Sequence, residues 1–460
     1  MTRRGPRSDP GAWGTPWRFL GAQATSAVAA LAMTTALGAQ IFRLTHSELA
    51  LGLLGLVEFL PSLVLVLLSG TLADRVDRRR MAAVALAFEM LAAVGLALYT
   101  ASGPTSALPI FALVLGFGVA RAFGAPAMRS MPADLCPPGR LPWLTVRYSG
   151  AWQVSAIAGP VIGGVLFGIE PTAPYVVVAV LFLVASVSIL RVRYAPHVTT
   201  HRALVATAEP LDALEPAEFE DVEIGVGDGV ELGADAESAP RPNRLREALE
   251  GARFIGREPV LLGAITLDLA AVLFGGALAL LPAIAEDRLG VGAAGLGWLR
   301  AAVGIGAAIT TLGLAWRPVQ RNIGRVLMVV VALFGLFTVV LGATTSFAVA
   351  FVALAILSGA DSVSVYIRGT LVPLITPDAM RGRVLAFEMV LIGASNELGA
   401  FESGVTGQIL GPALAVVVGG VASVAVAIGW WFGFPALRKL DRFPMHGVDG
   451  ALDTGGSTPG

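Results

Sequence analysis

Apolar runs of about 20 residues recur along the whole chain, each closed by a short polar or charged break. A helix that crosses a bilayer needs a run of about that length. The pattern predicts twelve membrane-spanning helices, at 19–41, 48–69, 81–100, 107–126, 146–168, 174–192, 260–283, 292–315, 325–343, 346–367, 383–409 and 413–435. The expected fold class is therefore all-α, a polytopic membrane protein. Only the middle break is long. Within it, residues 203–240 carry eleven Asp or Glu and no Arg or Lys, with little apolar periodicity. Such a stretch buries too little surface to offset the entropy of ordering, and disorder is expected there. The segment "NRLREALEGARFIGREP" follows, with Leu245, Leu249, Ala252 and Ile255 at helical spacing. It predicts a short basic helix lying on the inner leaflet. The expected organisation is a tail at 1–18, a six-helix half at 19–192, a linker at 193–258, a second six-helix half at 259–435 and a tail at 436–460.

Composition agrees with the pattern. Of 460 residues, 55% are hydrophobic and 14% charged, where soluble chains carry about 25% charged residues. The single Cys136 excludes an internal disulfide and a cysteine-based metal cluster. His197 and His201 stand four apart, but beside the acidic segment, and no metal site is expected there. No glycine-rich phosphate loop with a lysine occurs, so an ATP-driven engine is not expected. No cofactor and no nucleic-acid partner is called for.

The basic residues set the orientation. One set of breaks holds Arg3, Arg4, Arg7 and Arg18, then Arg75 and Arg78 to Arg80. It continues with Arg129, Arg140, Arg147, Arg191, Arg193, Arg253 and Arg257, and ends with Arg317, Arg321, Arg325, Arg381, Arg383, Arg438, Lys439 and Arg442. The opposite set holds Arg43 and Arg288 alone. Arg and Lys mark the cytoplasmic side, so both termini are expected in the cytoplasm of a multi-pass cell-membrane (inner-membrane) protein.

The halves repeat at an offset of 240 residues. Gly52 and Gly55 match Gly292 and Gly295. Gly159 and Gly164 match Gly399 and Gly404, and Pro137 matches Pro377. Two pseudo-symmetric halves are expected.

Two motifs carry a resemblance to a known family. "GTLADRVDRRR", residues 70–80, resembles the signature between spans two and three of the major facilitator superfamily. Gly70, Asp74, Arg75, Arg78 and Arg79 match, and Asp77 stands where a second glycine is usual. "SAIAGPVIGG", residues 155–164, resembles the antiporter signature of drug exporters. Gly159, Pro160, Gly163 and Gly164 match, and Ser155 replaces the leading glycine. "TPDAMRGRVLAFEMVLIGASNELGAFESG" is similar to the branch of siderophore and macrolide exporters. The resemblance implies the major facilitator fold. It also implies that Asp74 and Arg78 latch the outward-facing state, and that span five forms a tight exporter seam. The residues alone allow plainer roles, a positive-inside anchor for the charged loop and ordinary helix packing for the glycines.

Ionisable residues inside spans are costly and usually face a cavity or a partner. They are Glu58, Glu89, Arg121, Asp268, Arg300, Asp361, Arg368, Glu388, Glu397 and Glu402. Asp361 and Arg368 share a helical face and could pair. Arg121 and Arg368 occupy similar places in the two halves. Glu89 and Glu388 read as snorkelling near span ends. Glu58, Asp268 and Glu397 lie deeper and are the coupling candidates, because a carboxylate in apolar surroundings holds a proton more readily than in water. Gln23, Thr34, Thr35, Gln40 and Asn396 are expected to add polar lining. The expected function is secondary active export of small amphipathic, drug- or siderophore-like molecules by alternating access and proton antiport, by a monomer in the lipid bilayer. The alternatives are an uptake permease of the same fold and a non-transporting membrane scaffold. An enzyme would need a His or Ser/His/Asp cluster within the spans, and the sequence has none.

Overall fold

A computed structural model describes residues 14–73, 76–135, 140–192 and 244–444. The acidic linker, Asp74, Arg75, Cys136 and the outer parts of both tails lie outside the described residues. The first half comprises α1 (Gly14–Thr45), α2 (Glu48–Ala73), α3 (Arg78–Ala101), α4 (Leu108–Leu135), α5 (Leu141–Ile169) and α6 (Ala173–Leu190). The short α7 (Arg244–Arg257) precedes α8 (Pro259–Phe274). Then follow α9 (Gly292–Trp316), α10 (Ile323–Ala343), α11 (Phe347–Ile375), α12 (Asp378–Leu410), α13 (Pro412–Gly433) and the single turn α14 (Pro435–Arg438). Twelve helical segments are long and apolar enough to cross a membrane. They correspond one for one to the expected spans. Many large apolar side chains stay exposed, among them Leu98, Ile309 and Phe432. In water they would form an adhesive surface; here they face lipid.

The 240-residue repeat is visible in how backbones touch. A Cβ built at Gly404 on α12 would lie 2.8 Å from the Cα of Gly52 on α2, and one at Gly164 on α5 would lie 2.7 Å from the Cα of Gly297 on α9. Gly159 presses on Leu31 of α1, and its counterpart Gly399 on Leu273 of α8. Gly159 and Gly399, and Gly164 and Gly404, thus make equivalent contacts, α5 with α1 and α12 with α8 inside each half, α5 with α9 and α12 with α2 between halves. The expected match of Gly52 and Gly55 with Gly292 and Gly295 does not carry over. Gly52 and Gly55 face α12, while Gly292 has no neighbour within 4 Å, Gly295 lies against Val291, and Gly297 meets Gly164 instead. Between apolar helices in lipid, small residues supply the close van der Waals approach that holds them together.

Both inter-half seams are tight toward the end of the molecule opposite the chain termini. There Arg43 at the end of α1 pairs with Glu286 at 3.6 Å. Ser47 Oγ donates to Gln408 Oε1 at 2.7 Å. Beside these contacts, Gly411 ends α12 at φ +80°, a conformation glycine adopts freely.

Span seven departs from the uniform helix expected at 260–283. After α8 come Gly275 and Gly276, a 3₁₀ turn at Ala277–Leu280, one turn at Leu281–Ala283 and a π-helical turn at Ile284–Arg288. Glycines favour such a break, and Pro282 lacks a backbone donor. The run stays apolar throughout, so hydropathy alone does not show it. Ser423 Oγ and Ser395 Oγ donate to the Ala271 and Leu269 carbonyls of α8, at 2.9 and 2.7 Å.

Helix α7 forms where expected, and part of it packs against protein. Ile255 is buried with Leu261, Val372 and Val384. Arg383 Nη1 reaches Glu250 Oε2 at 2.6 Å. The C-terminal part of α7, at Gly251 and Ile255, thus packs on the ends of α11 and α12.

Candidate functional site

Between the two halves lies a cavity of about 680 Å³. Its walls come from α1, α2, α4 and α5 of the first half and from the broken span seven, α9 and α12 of the second. The interruption in span seven contributes Leu278, Ala279 and Pro282, the placement seen where discontinuous helices build transport sites. Phe59 and Trp152 give aromatic surface, and Thr34, Thr35, Ser62 and Gln153 give hydrogen-bonding groups.

Four charged residues line this cavity, Glu58 on α2, Arg121 on α4, Arg300 on α9 and Glu397 on α12. Each is half-buried. Among the described residues none of the four makes an ion pair within 4.0 Å. Arg300 Nη1 donates to Thr35 Oγ1 at 3.4 Å across the halves. Glycines make room for two of the charged heads. A Cβ at Gly55 would lie 2.9 Å from Glu397 Oε2, and one at Gly38 would lie 3.3 Å from Arg300 Nη2. Behind the wall, Glu89 of α3 is buried and within electrostatic reach of Arg121 and Glu58. It is a buried member of this charge set, not a snorkelling residue.

A second cluster sits inside the second half and away from the cavity. Arg368 Nη2 pairs with Asp268 Oδ2 at 2.8 Å, and its Nη1 approaches Glu388 Oε1 at 3.5 Å. Ser364 Oγ donates to Asp268 Oδ1 at 3.1 Å. Asp268, Arg368 and Glu388 are 5%, 3% and 6% exposed, so this is a core ion network. Several sequence expectations change here. Arg368 takes partners from α8 and α12 rather than Asp361 seven residues back. Asp361 stays within electrostatic reach of Asp268 and Arg368. Glu388 is buried and paired, not snorkelling. Asp268 has an arginine partner outside the cavity, unlike Glu58 and Glu397. Arg121 faces the cavity while Arg368 does not, so the similar places expected for them in the two halves have different surroundings.

The polar candidates separate as well. Thr34 and Thr35 line the cavity. Gln40 is buried within the first half, donating to Thr100 at 2.8 Å and accepting a short bond from Tyr175. Gln23 is buried. Asn396 is exposed on α12 and is not part of the cavity wall. Glu402 accepts from Thr406 at 2.6 Å one turn further along α12, also outside the wall.

The span-five motif divides between two jobs. Gly159 and Gly163 press against α1, at Leu31 and Ala32, within the first half. Gly164 meets Ala293 and Gly297 across the halves, and the Pro160 carbonyl faces Gly297. Ser155, where the leading glycine is usual, donates to the Ala24 carbonyl of α1 at 3.1 Å. In the charged loop, Gly70 lies in the last turn of α2. Asp77 is the N-cap of α3, accepting from the Arg79 and Arg80 amides. Arg79 Nη1 donates to the Val192 carbonyl beyond α6 at 3.1 Å. Arg78 begins α3. The departure from the glycine pattern at Asp77 thus has a local reason, since aspartate is among the preferred N-caps.

A cavity between two pseudo-symmetric halves is where membrane transporters of this architecture hold their substrate. The Major Facilitator Superfamily model matches residues 18–325, and a Transmembrane secretion effector model matches residues 233–453. The chain belongs to the Major Facilitator Superfamily; it is a multi-pass membrane transporter and not an enzyme. It is 24% identical over 414 residues to the Enterobactin exporter EntS of Escherichia coli O1:K1 / APEC, covering 88% of each chain. The same figures hold for the enterobactin exporter of Shigella boydii serotype 18. Its fold is similar to that of a POT family transporter in complex with 5-aminolevulinic acid, with TM-score 0.67, 10% identity and coverage of 95% of this chain and 99% of that one. It is also similar to the nucleoside transporter NupG, with TM-score 0.62, 14% identity and coverage of 93% and 99%.

Proposed function

We propose that the protein is a secondary exporter of small amphipathic molecules, driven by proton antiport. The observation that carries this reading is the pair of carboxylates, Glu58 and Glu397, in a cavity shared by both halves and, among the described residues, without an ion-pair partner within 4.0 Å. Glu58 and Glu397 sit on α2 and α12, the helices of one inter-half seam. A proton held there experiences whichever side the cavity faces. Such a proton and a substrate cation compete for the same oxygens, and exclusive occupancy couples their opposite movements. The likeness to an enterobactin exporter and to the secretion-effector model supports the outward direction. With termini in the cytoplasm, as the Arg and Lys distribution favours, the closed end faces outward and the cavity is served from inside. Arg78, at the start of α3, then lies on the cytoplasmic side, and the charged loop it belongs to is expected to weight the opposite closure.

The test is export of a fluorescent amphipathic dye by oriented proteoliposomes under an imposed pH gradient. Glu58→Gln and Glu397→Gln are each expected to reduce gradient-driven movement at least tenfold while leaving protein abundance near normal. Equal export with and without the gradient in the native protein removes the antiport reading. Gradient-driven accumulation from the opposite face identifies an uptake permease instead.

A further inference from the structure

The charges in the cavity are sorted. Glu58 and Glu397 share one side with Arg121, and Arg121 has the buried Glu89 behind it. That side carries more carboxylates than guanidiniums. The other side carries Arg300, held by a single 3.4 Å bond to Thr35 of α1, with Gly38 and Pro282 beside it. Glu58 is within electrostatic reach of Arg300, yet no ion pair within 4.0 Å joins them. The cavity is therefore dipolar, acidic toward α2 and α12 and basic toward α1 and α9. A half-buried charge taken from water loses solvation that only an opposite charge or hydrogen bonds restore. A ligand with a lone cation leaves Arg300 uncompensated. A ligand with a lone anion leaves the carboxylate excess on the side of Glu58, Glu397 and Arg121 without a cation. A ligand with both satisfies both sides. The remaining wall, with Trp152, Phe59 and aliphatic residues, suits an apolar or aromatic body between the charged ends.

We propose that the cavity binds zwitterionic amphipathic molecules, the cationic group held by Glu58 and Glu397 and the anionic group by Arg300. This rests on the cavity's being the transport site and narrows the class of substrate it accepts. Each charged end of such a ligand meets helices of both halves, Glu58 and Glu397 at one, Thr35 and Arg300 at the other. Binding therefore ties the two halves together through the ligand itself.

The experiment uses the full chain in nanodiscs and equilibrium fluorescence anisotropy, with no ion gradient. The probes are a zwitterionic fluoroquinolone with a free piperazine amine, its ethyl ester, which keeps the cation, and its N-acetyl derivative, which keeps the anion. The zwitterion is expected to bind at least tenfold more tightly than either derivative. Arg300→Gln is expected to lower zwitterion affinity at least tenfold, to the level of the ester, and to change the ester's affinity far less than the zwitterion's. The double variant Glu58→Gln/Glu397→Gln is expected to lower it to that of the N-acetyl compound. Equal or tighter binding of either derivative overturns the proposal. So does no binding above empty nanodiscs, or an Arg300→Gln variant that loses all three compounds equally. Because no gradient is applied, a protein that exports other amphipaths without this preference refutes the proposal alone. A protein that shows the preference but carries the probe inward in vesicles refutes export alone.

Discussion

Arg368 shows how differently one charged residue reads in the chain and in the fold. In sequence its nearest carboxylate on the same face is Asp361; in space its partners are Asp268, Glu388 and, through Asp268, Ser364. Those contacts join three helices, which no helical periodicity can show. That these residues are unusual was legible, because each is an ionisable group in an apolar run. Which were cavity groups and which were core pairs was not. Their separation predicts opposite phenotypes. Removing one member of a buried ion pair strands the other and costs on the order of 3–5 kcal/mol. Arg368→Ala and Asp268→Asn are therefore expected to lower membrane abundance and the melting temperature in detergent by several degrees or more. Glu58→Gln and Glu397→Gln should leave melting nearly unchanged. A fully stable Asp268→Asn protein that has lost only proton coupling would move the coupling site to this network.

At the scale of elements, the twelve spans were legible because each must hide about 20 residues of backbone in hydrocarbon, which leaves an apolar run in the chain. The interruption of span seven was not legible, since Gly275 and Gly276 interrupt the backbone without interrupting hydrophobicity. The packing of α7 was not either. An amphipathic stripe fits a leaflet or a protein groove equally well, and here its C-terminal part, at Ile255, packs on protein. The glycine motif of α5 was visible, but not that it serves two neighbours. This division gives a prediction. Leucine at Gly159 collides with α1 inside the first half, whereas leucine at Gly164 collides with α9 of the second half. Gly159→Leu should reduce abundance, because it disrupts the packing of a single half. Gly164→Leu should reach the membrane in near-normal amounts yet fail to close the seam, with transport reduced tenfold or more. Abundance by immunoblot and transport in vesicles separate the two, and identical behaviour would mean that α5 does not divide its contacts in this way.

For the whole molecule, the sparse far-side arginines acquire a meaning that the orientation rule could not supply. Arg288 donates to the Ala343 and Thr344 carbonyls at 2.7 and 2.8 Å, closing the end of α10. Arg43 crosses from the first half to Glu286 of the second and also lies over the Phe167 ring at 5.0 Å. The pair is more than a third exposed at both side chains, 38% and 35%, so its contribution is at most about 1 kcal/mol. In a folded core that would matter little. Between two states of a transporter it still counts, because separating the halves at this end breaks the contact. An energy of that size shifts a two-state ratio by about fivefold. Arg43→Glu sets like charges together and should raise the population open at this end. Arg43→Glu/Glu286→Arg restores opposite charges and should return it toward the native value, as a double-mutant cycle requires. Spin labels at the exposed Glu170 and Thr345, one in each half at this end, read the distance between halves once Cys136 is replaced by serine. A longer distance component should appear in the single variant and shrink in the double. If both variants keep the native distance distribution, the glycine seams alone hold this end closed, and the Arg43–Glu286 pair has no part in the conformational balance.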